Sequence, residues 1–232
     1  MLEELFYLHK KAVEGLPLTF KRYLYGSVEW DSPCLCVSGS RGVGKTTMLL
    51  QHYQERYGDV EKCLYISADN IEVSALGLFN TAKEYFKYGG AALIIDEVHK
   101  YPGWQIELKN ILDIFKNKKL LFSGSSSLEL QTGKADLSRR AVYYHLKGLS
   151  FREYLELKEG IKLQAHSLDN LLNAHVKIAQ GAISELPVLK YFRDYLVSGY
   201  YPFFMEGEKT YLSRVLNVIE KVLYEDIAAW PI

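Results

Sequence analysis

Short apolar runs alternate with amphipathic stretches through the first two thirds of the chain. Apolar runs bounded by turn residues predict strands, and apolar positions spaced by three and four predict helices. Alternation of strands and helices predicts right-handed crossovers and a parallel sheet covered on both faces, so the expected fold class is α/β. Strands are expected at 33–38, 63–67, 91–95, 120–123 and 142–146, and helices at 1–15, around 48–53, and at 75–88, 105–115 and 151–158.

The pattern changes after Gly160, where three helical segments follow without a convincing strand. They span about 168–183, 187–197 and 211–227. We therefore expect an α/β domain over 1–160 and a separate, smaller helical part over 161–232, which is either a lid or the start of a linker to a further C-terminal region.

The last of these helices is apolar around much of its surface, and the sequence after it, 228–232, is apolar too. A helix of this kind expects cover on more than one side. This predicts an exposed apolar surface, a tendency to self-associate and an output module beyond the 232 residues. The apolar positions are Leu212, Val215, Leu216, Val218, Ile219, Val222 and Leu223.

Composition excludes several classes of protein. The 28 basic and 28 acidic residues give no net charge, so nucleic acid has no global electrostatic attraction to the chain, although a local basic patch leaves that partner open. Three cysteines without a second closely spaced pair argue against a disulfide framework or a zinc site, which favours a cytoplasmic protein. Apolar runs such as 91–95 are too short to span a membrane, so no membrane partner is expected.

Residues 39–46 form a complete G-x-x-x-x-G-K-[ST] phosphate-binding loop between a predicted strand and a predicted helix. Glycines let successive backbone N–H groups surround phosphates, and the helix N-terminus adds its positive dipole. Lys45 would neutralise the outer phosphates of ATP, and the Thr46 hydroxyl would ligate Mg²⁺. A glycine-rich turn beside a surface lysine is the less favoured alternative. The predicted nucleotide-binding residues are Gly39, Ser40, Arg41, Gly42, Val43, Gly44, Lys45, Thr46 and Thr47.

Two carboxylates, Asp96 and Glu97, follow the apolar strand at 91–95. At the carboxyl edge of a parallel sheet Asp96 can hold Mg²⁺ beside Thr46, and Glu97 can polarise water for attack on the terminal phosphate. Alone, such residues usually begin a solvated loop; beside a phosphate loop they indicate an ATPase. Because the chain has no evident N-K-x-D motif for reading guanine, adenine is the favoured base.

Serines and arginines close to the next strands are further candidates. Ser123 and Ser125 point the same way in an extended segment, so either hydroxyl could sense the terminal phosphate. The alternative is that one of the serines in this segment caps a helix that begins at Leu128, and both roles can hold for different serines. Arg139 and Arg140 lie in a loop from which an arginine could stabilise charge on the transferred phosphoryl group, in the same chain or a neighbour. Paired arginines are more often solvated or ion-paired.

Five segments together resemble AAA+-type ATPases of a bacterial and archaeal family that usually carries C-terminal winged-helix and restriction-nuclease-like regions. The resemblance covers about 15–160, and the helices up to 232 look like the lid. It implies that Lys45, Thr46, Asp96 and Glu97 form the nucleotide site and that 123–125 is the sensor region. It also implies that Arg140 matches the arginine of a common Gly-Arg pair, in which Arg139 replaces the glycine here. The segments are GSRGVGKTT, LIIDEVHKYPGWQIELKNILD, LFSGSSSLEL, SRRA and GLSFREYLEL.

The sequence therefore predicts a P-loop ATPase domain over 1–160, with a helical lid or the start of a linker over 161–232. The expected activity is magnesium-dependent ATP binding and slow hydrolysis, coupled to an output that the sequence does not identify. Glu97, Lys45, Arg140 and Ser125 are the predicted catalytic residues, and Thr46 and Asp96 the predicted metal ligands. Arg140 would complete the site on closure or in a homo-oligomer. Two alternatives stay open: an ATP-controlled switch that regulates a protein partner or effector domain without needing turnover, and a small-molecule kinase, for which no acceptor pocket is evident.

Overall fold

Five parallel strands form one sheet in the computed structural model of the protein, which describes residues 2–124, 137 and 139–227. The sheet order is β2-β3-β4-β1-β5, and every neighbouring pair is parallel. The predicted α/β fold class of a P-loop nucleoside triphosphatase is confirmed. The strands are β1 (Cys34–Ser38), β2 (Cys63–Ser67), β3 (Ala92–Asp96), β4 (Lys119–Gly124) and β5 (Val142–His145).

Nine α-helices are present in these described ranges. Helix α5 and the strands lie within one or two residues of their predicted bounds. The bounds are α1 (Leu2–Val13), α2 (Lys45–Arg56), α3 (Ile71–Leu76), α4 (Leu78–Tyr88), α5 (Trp104–Ile114), α6 (Phe151–Glu159), α7 (Leu168–Glu185), α8 (Val188–Ser198) and α9 (Glu208–Lys221). Short 3₁₀ turns cover Tyr23–Ser27, Val98–Lys100 and Pro202–Glu206, and a π-helical turn covers Val222–Ile227.

The single helix predicted over 75–88 is wrong, because two helices, α3 and α4, occupy 71–88. Each has its own N-terminal partner for the backbone donors that a helix leaves unpaired. The Asn70 side chain accepts hydrogen bonds from the N–H groups of Glu72 and Val73 at the start of α3. The Glu107 carboxylate of α5 accepts one from the Phe79 N–H at 2.8 Å, in the first turn of α4.

The core of the sheet is formed by strands that are buried on both faces. All five residues of β3 are buried, as expected for a central parallel strand. Cys34 and Cys36 of β1 belong to the hydrophobic core. Trp104, at the start of α5, is 3% exposed, and its ring centroid lies 6.1 Å from that of Phe122.

The free side of β2, an edge strand, is partly covered by α1. The Tyr65 N–H donates a hydrogen bond to Nδ1 of His9 at 2.8 Å, and the His9 ring packs edge-on against Tyr53. Burial, followed by the positive charge of Lys10, lowers the pKa of His9 to about 4. A neutral imidazole therefore satisfies a backbone donor that an edge strand would otherwise leave unpaired.

The chain divides into two compact units, 1–147 and 148–232. Helix α6 groups with the second unit because its aromatic rings contact that unit: Phe151 lies 5.3 Å from Phe192, and Tyr154 lies 5.0 Å from Phe204, between centroids. The division thus precedes the boundary expected at residue 160.

The second unit exposes much apolar surface, as predicted for its last helix. On α9 and the turn after it, Leu212, Leu216, Ile219 and Leu223 are 64%, 59%, 47% and 50% exposed, at spacings of four, three and four. These positions form one stripe on the helix. Among the described residues, no helix is both long and apolar enough to cross a membrane.

Candidate functional site

The phosphate loop connects the carboxyl end of β1 to the amino end of α2. Lys45 opens the helix with its side chain 3% exposed, and its ammonium group donates hydrogen bonds to the carbonyls of Gly39 and Ser40, both at 3.1 Å. A lysine charge and a helix N-terminus thus converge on the same few ångströms, the arrangement that favours a bound phosphate group.

Two glycines explain why this loop needs its sequence. Gly39 has φ 155°, and a Cβ added there would lie 2.2 Å from the carbonyl oxygen of Leu146, so any side chain would collide with backbone. Gly44 has φ 96° immediately before α2, a conformation that glycine adopts without steric cost. The chain can therefore turn tightly from strand to helix with its N–H groups directed into the turn.

Asp96 ends β3 and receives three side-chain hydroxyl groups. Thr46 Oγ1 donates to Asp96 Oδ2 at 2.5 Å, the Tyr65 hydroxyl donates to the same oxygen at 3.1 Å, and the Ser123 hydroxyl donates to Oδ1. The carboxylate is 3% exposed. Thr46 and Asp96, the two predicted metal ligands, thus present hard oxygen atoms in direct contact, which is the donor chemistry that Mg²⁺ prefers.

Glu97 has an unusual backbone that the neighbouring strand supports. Its φ of 54° is the one positive value for a non-glycine residue among those described, and conformations of this kind concentrate at functional sites. The Glu97 N–H donates to Asp96 Oδ1 at 3.1 Å and to Ser123 Oγ at 3.3 Å. The turn therefore directs the two consecutive carboxylates differently, although both follow one strand.

The Glu97 side chain lies between two nitrogen groups without a tight contact to either. Its Oε1 is 3.9 Å from the Lys45 ammonium, and its Oε2 is 3.6 Å from Nε2 of His99. Both distances exceed a hydrogen bond. Within the described part of the chain, Oε2 is buried without a hydrogen-bond partner. A carboxylate with an uncommitted oxygen has the capacity to accept a proton or orient a water molecule.

Burial is the largest cause of the pKa shifts of both Glu97 and His99. Burial raises the pKa of Glu97, the Lys45 charge partly opposes this, and the Asp96 charge adds to it. Burial, with the positive charges of Lys45, Lys100 and Arg41, lowers the pKa of His99 to about 4. His99 is therefore neutral near pH 7, and the two side chains do not form an ion pair there.

The remaining predicted residues fall into three groups. Arg41 and Thr47 are half-buried and Ser40 is exposed, in the loop and the first turn of α2. Ser125, the serine predicted to be catalytic, and the helix expected from Leu128 lie outside the described residues. Arg140 is not brought to the loop: its Nε and Nη2 donate to the Asp113 carboxylate at 3.0 and 3.3 Å, while Arg139 is exposed.

Sequence reasoning missed the contacts of three side chains with this site: Tyr65, which binds Asp96; His99, which faces Glu97; and Arg22, whose Nη1 donates to the Val43 carbonyl. His99 carries a weak signal, because it follows the carboxylates by two positions. Tyr65 and Arg22 carry none, since the sheet order and the packing of the N-terminal segment bring them to the site.

The motifs of this site are shared with a known protein family. A model described as an AAA domain, AAA_14, matches residues 31–155, which include the phosphate loop, both carboxylates and all five strands. The chain belongs to the AAA_14 family. As an AAA domain it is a P-loop ATPase at the level of family membership, in agreement with the ATPase resemblance of its motifs. The match does not extend to a winged-helix or nuclease-like region.

Two individual proteins resemble this chain, one in sequence and one in fold. An uncharacterized protein of Methanocaldococcus jannaschii is 30% identical over 207 residues, covering 82% of this chain but 42% of its own length. This chain therefore spans less than half of that relative. A Walker-type ATPase of Pyrococcus abyssi aligns over 90% of this chain and 75% of its own, with a TM-score of 0.52 and 13% identity, a similarity of fold.

A further solved structure, DnaA of Aquifex aeolicus with bound AMPPCP, covers 78% of this AAA-domain chain and 60% of its own. Its TM-score is 0.43 and its identity 20%.

Proposed function

We propose that this chain binds ATP with Mg²⁺ at the phosphate loop and hydrolyses it slowly. The observation that carries the proposal is the convergence of Lys45, Thr46, Asp96 and Glu97 at one edge of the sheet. The four side chains come from the end of one strand, β3, and the start of one helix, α2, and each contacts or faces another of the four. This convergence supports a site for phosphoryl transfer over a site that only stores a nucleotide.

Binding in this proposal uses the loop backbone and two side chains. The N–H groups of the loop and of the first turn of α2 surround the phosphates, and Lys45 balances the charge of the outer ones. Thr46 and Asp96 would hold Mg²⁺, which supplies positive charge beside the phosphates. Their oxygen atoms already lie 2.5 Å apart, so the two ligands need little rearrangement to share one ion.

Glu97 activates the attacking water in this proposal. Its Oε2 has no hydrogen-bond partner among the described residues, so that oxygen is available to accept the water's proton. The pKa of Glu97, raised by burial, brings its basicity closer to neutral pH. Ser123 holds the turn through Asp96 and the Glu97 N–H, and we assign it a positioning role. Ser125 remains the proposed sensor of the terminal phosphate.

Arg140 completes the site from a second copy of the chain in this proposal. Its own β5 begins at Val142 and ends at His145, which pairs with Ser38 beside the phosphate loop. Arg140 therefore lies at the opposite edge of the sheet from its own Lys45. This placement supports a homo-oligomer in which the arginine of one copy faces the nucleotide of the next.

The experiment is a steady-state measurement of phosphate release with ATP and with GTP, each with Mg²⁺ and with EDTA, over a range of protein concentrations. We expect slow, magnesium-dependent release that prefers ATP and whose specific rate rises with protein concentration. Equal release with EDTA, or a preference for GTP, would contradict the assignment.

An ATP-controlled switch is the second candidate. The placement of Arg140 at the opposite edge of the sheet from its own phosphate loop also favours this candidate. A single copy that binds ATP without a stabilising arginine would hydrolyse it poorly and persist in the bound state. Tight ATP binding with no turnover at any protein concentration, with or without DNA, would favour this candidate over the enzyme. Neither candidate function identifies whether the ATP site controls a protein partner or an effector domain.

A further inference from the structure

Arg22 is a buried arginine that contacts the phosphate loop but has no part in the chemistry above. It stands just before the turn at Tyr23–Ser27 and is 7% exposed. Its two terminal nitrogens reach different segments: Nη1 donates to the Val43 carbonyl at 2.5 Å, and Nη2 donates to the Lys147 carbonyl at 2.7 Å. Charged donors to carbonyl oxygens form stronger hydrogen bonds than neutral donors do.

The first of these bonds fixes one peptide of the loop. In a trans peptide the C=O and the following N–H point in opposite directions, so fixing the Val43 carbonyl directs the Gly44 N–H away from Arg22. Gly44 sits at φ 96°, where glycine has several accessible conformations and a peptide can rotate readily. The guanidinium thus holds an otherwise adaptable peptide in one orientation immediately before Lys45.

The second bond ties the loop to the segment that follows β5. The same segment already supports the other end of the loop, because the Leu146 N–H donates to the Ser38 carbonyl at 2.7 Å and the Leu146 carbonyl excludes a side chain at Gly39. Both ends of the loop are therefore held against residues 146–147. Lys147 is also the last residue of the first unit.

We propose that Arg22 is a positioning residue of the phosphate loop, which orients the Gly44 N–H toward the phosphates and links the loop to residues 146–147. This rests on the proposed function, since it requires that the loop bind a nucleotide. It extends that function by making the end of the first unit respond to nucleotide through one side chain. Arg22 does not touch the reacting atoms.

The test compares Arg22→Met, which keeps the length of the side chain without its donors, with Arg22→Lys, which keeps a charge but lacks the planar fork. The matched control is Arg56→Met, since Arg56 is exposed and pairs with Asp31 on the surface. Calorimetry well below the melting temperature gives the ATP affinity. Hydrogen exchange of amides 145–149, with and without ATP, reports on the linked segment.

We expect about a tenfold weaker ATP affinity for Arg22→Met, a smaller loss for Arg22→Lys and none for Arg56→Met, as for the loss of a charge-assisted hydrogen bond. ATP should slow exchange at 145–149 in the wild type and not in Arg22→Met. Wild-type affinity and exchange in a folded Arg22→Met, even with a lowered melting temperature, would overturn the proposal and indicate a purely structural arginine.

Three further outcomes complete the test, and the last two distinguish failure of this inference from failure of the function on which it rests. If Arg22→Met does not fold, Arg22→Lys decides: weakened ATP affinity supports the proposal, and wild-type affinity overturns it. If the wild type binds ATP and Lys45→Ala does not, while the Arg22 variants bind normally, this inference alone fails. If the wild type binds no ATP, the proposed function and this inference fail together.

Discussion

Arg140 forms a two-point contact with Asp113, in which Nε and Nη2 of the guanidinium donate to the two carboxylate oxygens at 3.0 and 3.3 Å. Asp113 lies in the last turn of α5, just before β4, and Arg140 lies just before β5. Both residues are therefore at the edge where the strands begin, whereas Lys45 and Asp96 are where the strands end. A strand of this length separates the two edges by roughly 15 Å.

This separation predicts that Arg140 acts in trans. Arg140→Ala and Lys45→Ala should each lose turnover, and an equimolar mixture should regain up to about a quarter of wild-type activity, because a random assembly unites an intact loop with an intact arginine at that frequency. Turnover of the mixture is the measurement. Absence of rescue, with a specific activity independent of protein concentration, would rule out the trans arginine.

Glu97 should affect turnover far more than binding. Glu97→Gln keeps the size of the side chain and removes the base, so we expect ATP affinity within about twofold of wild type and a turnover lower by roughly 10²–10⁴-fold. Single-turnover phosphate release and calorimetry measure the two quantities. Glu84→Gln, on the exposed face of α4, is the control and should change neither. Equal losses in Glu97→Gln and the control would remove the catalytic role.

Asp96 should control the magnesium dependence of binding. Asp96→Asn keeps the shape of the side chain but removes the charge that would hold the ion. We expect the gain in ATP affinity on adding Mg²⁺ to fall by about tenfold, while the affinity measured in EDTA stays near that of the wild type. Calorimetric titrations with Mg²⁺ and with EDTA test this. An undiminished magnesium effect in the variant would show that Asp96 is not a ligand.

Buried His9 should make the fold sensitive to mild acid. Its pKa in the folded protein is about 4, below the ordinary value of 6.5, so protonation favours the unfolded chain. The resulting stability is present above pH 6.5 and is lost as the pH falls toward 4. We expect His9 alone to contribute about 1 kcal/mol to the loss between pH 7.5 and 5.5.

Urea unfolding at these two pH values measures the effect. His9→Gln keeps a side-chain acceptor for the Tyr65 N–H without a titrating group, so its loss of stability over the same interval should be smaller by that amount. The comparison uses the pH dependence of each variant, so a uniformly lower stability of His9→Gln does not disturb it. The same acid loss in both proteins would contradict the assignment.

The residues of the site that lie in recognisable motifs could be predicted from the sequence, because the hydrophobic pattern around each motif indicates which strand or helix carries it. Lys45 and Thr46 follow a glycine-rich turn between a strand and a helix, and Asp96 ends a fully apolar strand. These features need only the knowledge that the carboxyl ends of parallel strands share one edge. That rule places Thr46 and Asp96, residues fifty positions apart, at one edge, and their direct contact depends in addition on the sheet order, in which β4 alone separates β1 from β3.

The parts that sequence missed depend on tertiary contacts. Tyr65 reaches Asp96 only because β2 lies beside β3, and its alternating position in a strand is shared by many core residues. Arg22 contacts carbonyls 21 and 125 positions away, for which no local pattern exists. The break between α3 and α4 was missed because the Glu107 carboxylate that supports the second helix comes from a different element.

Calorimetry of Lys45→Ala with ATP and Mg²⁺ is the sharpest test of nucleotide binding at the phosphate loop. Lys45 is buried at the start of α2, where its ammonium group donates to carbonyls of the phosphate loop and lies 3.9 Å from Oε1 of Glu97. Lys87→Ala, on the exposed side of α4, is the matched control. We expect Lys45→Ala to lose ATP binding and Lys87→Ala to retain it. Wild-type affinity in a folded Lys45→Ala would contradict the proposed nucleotide site.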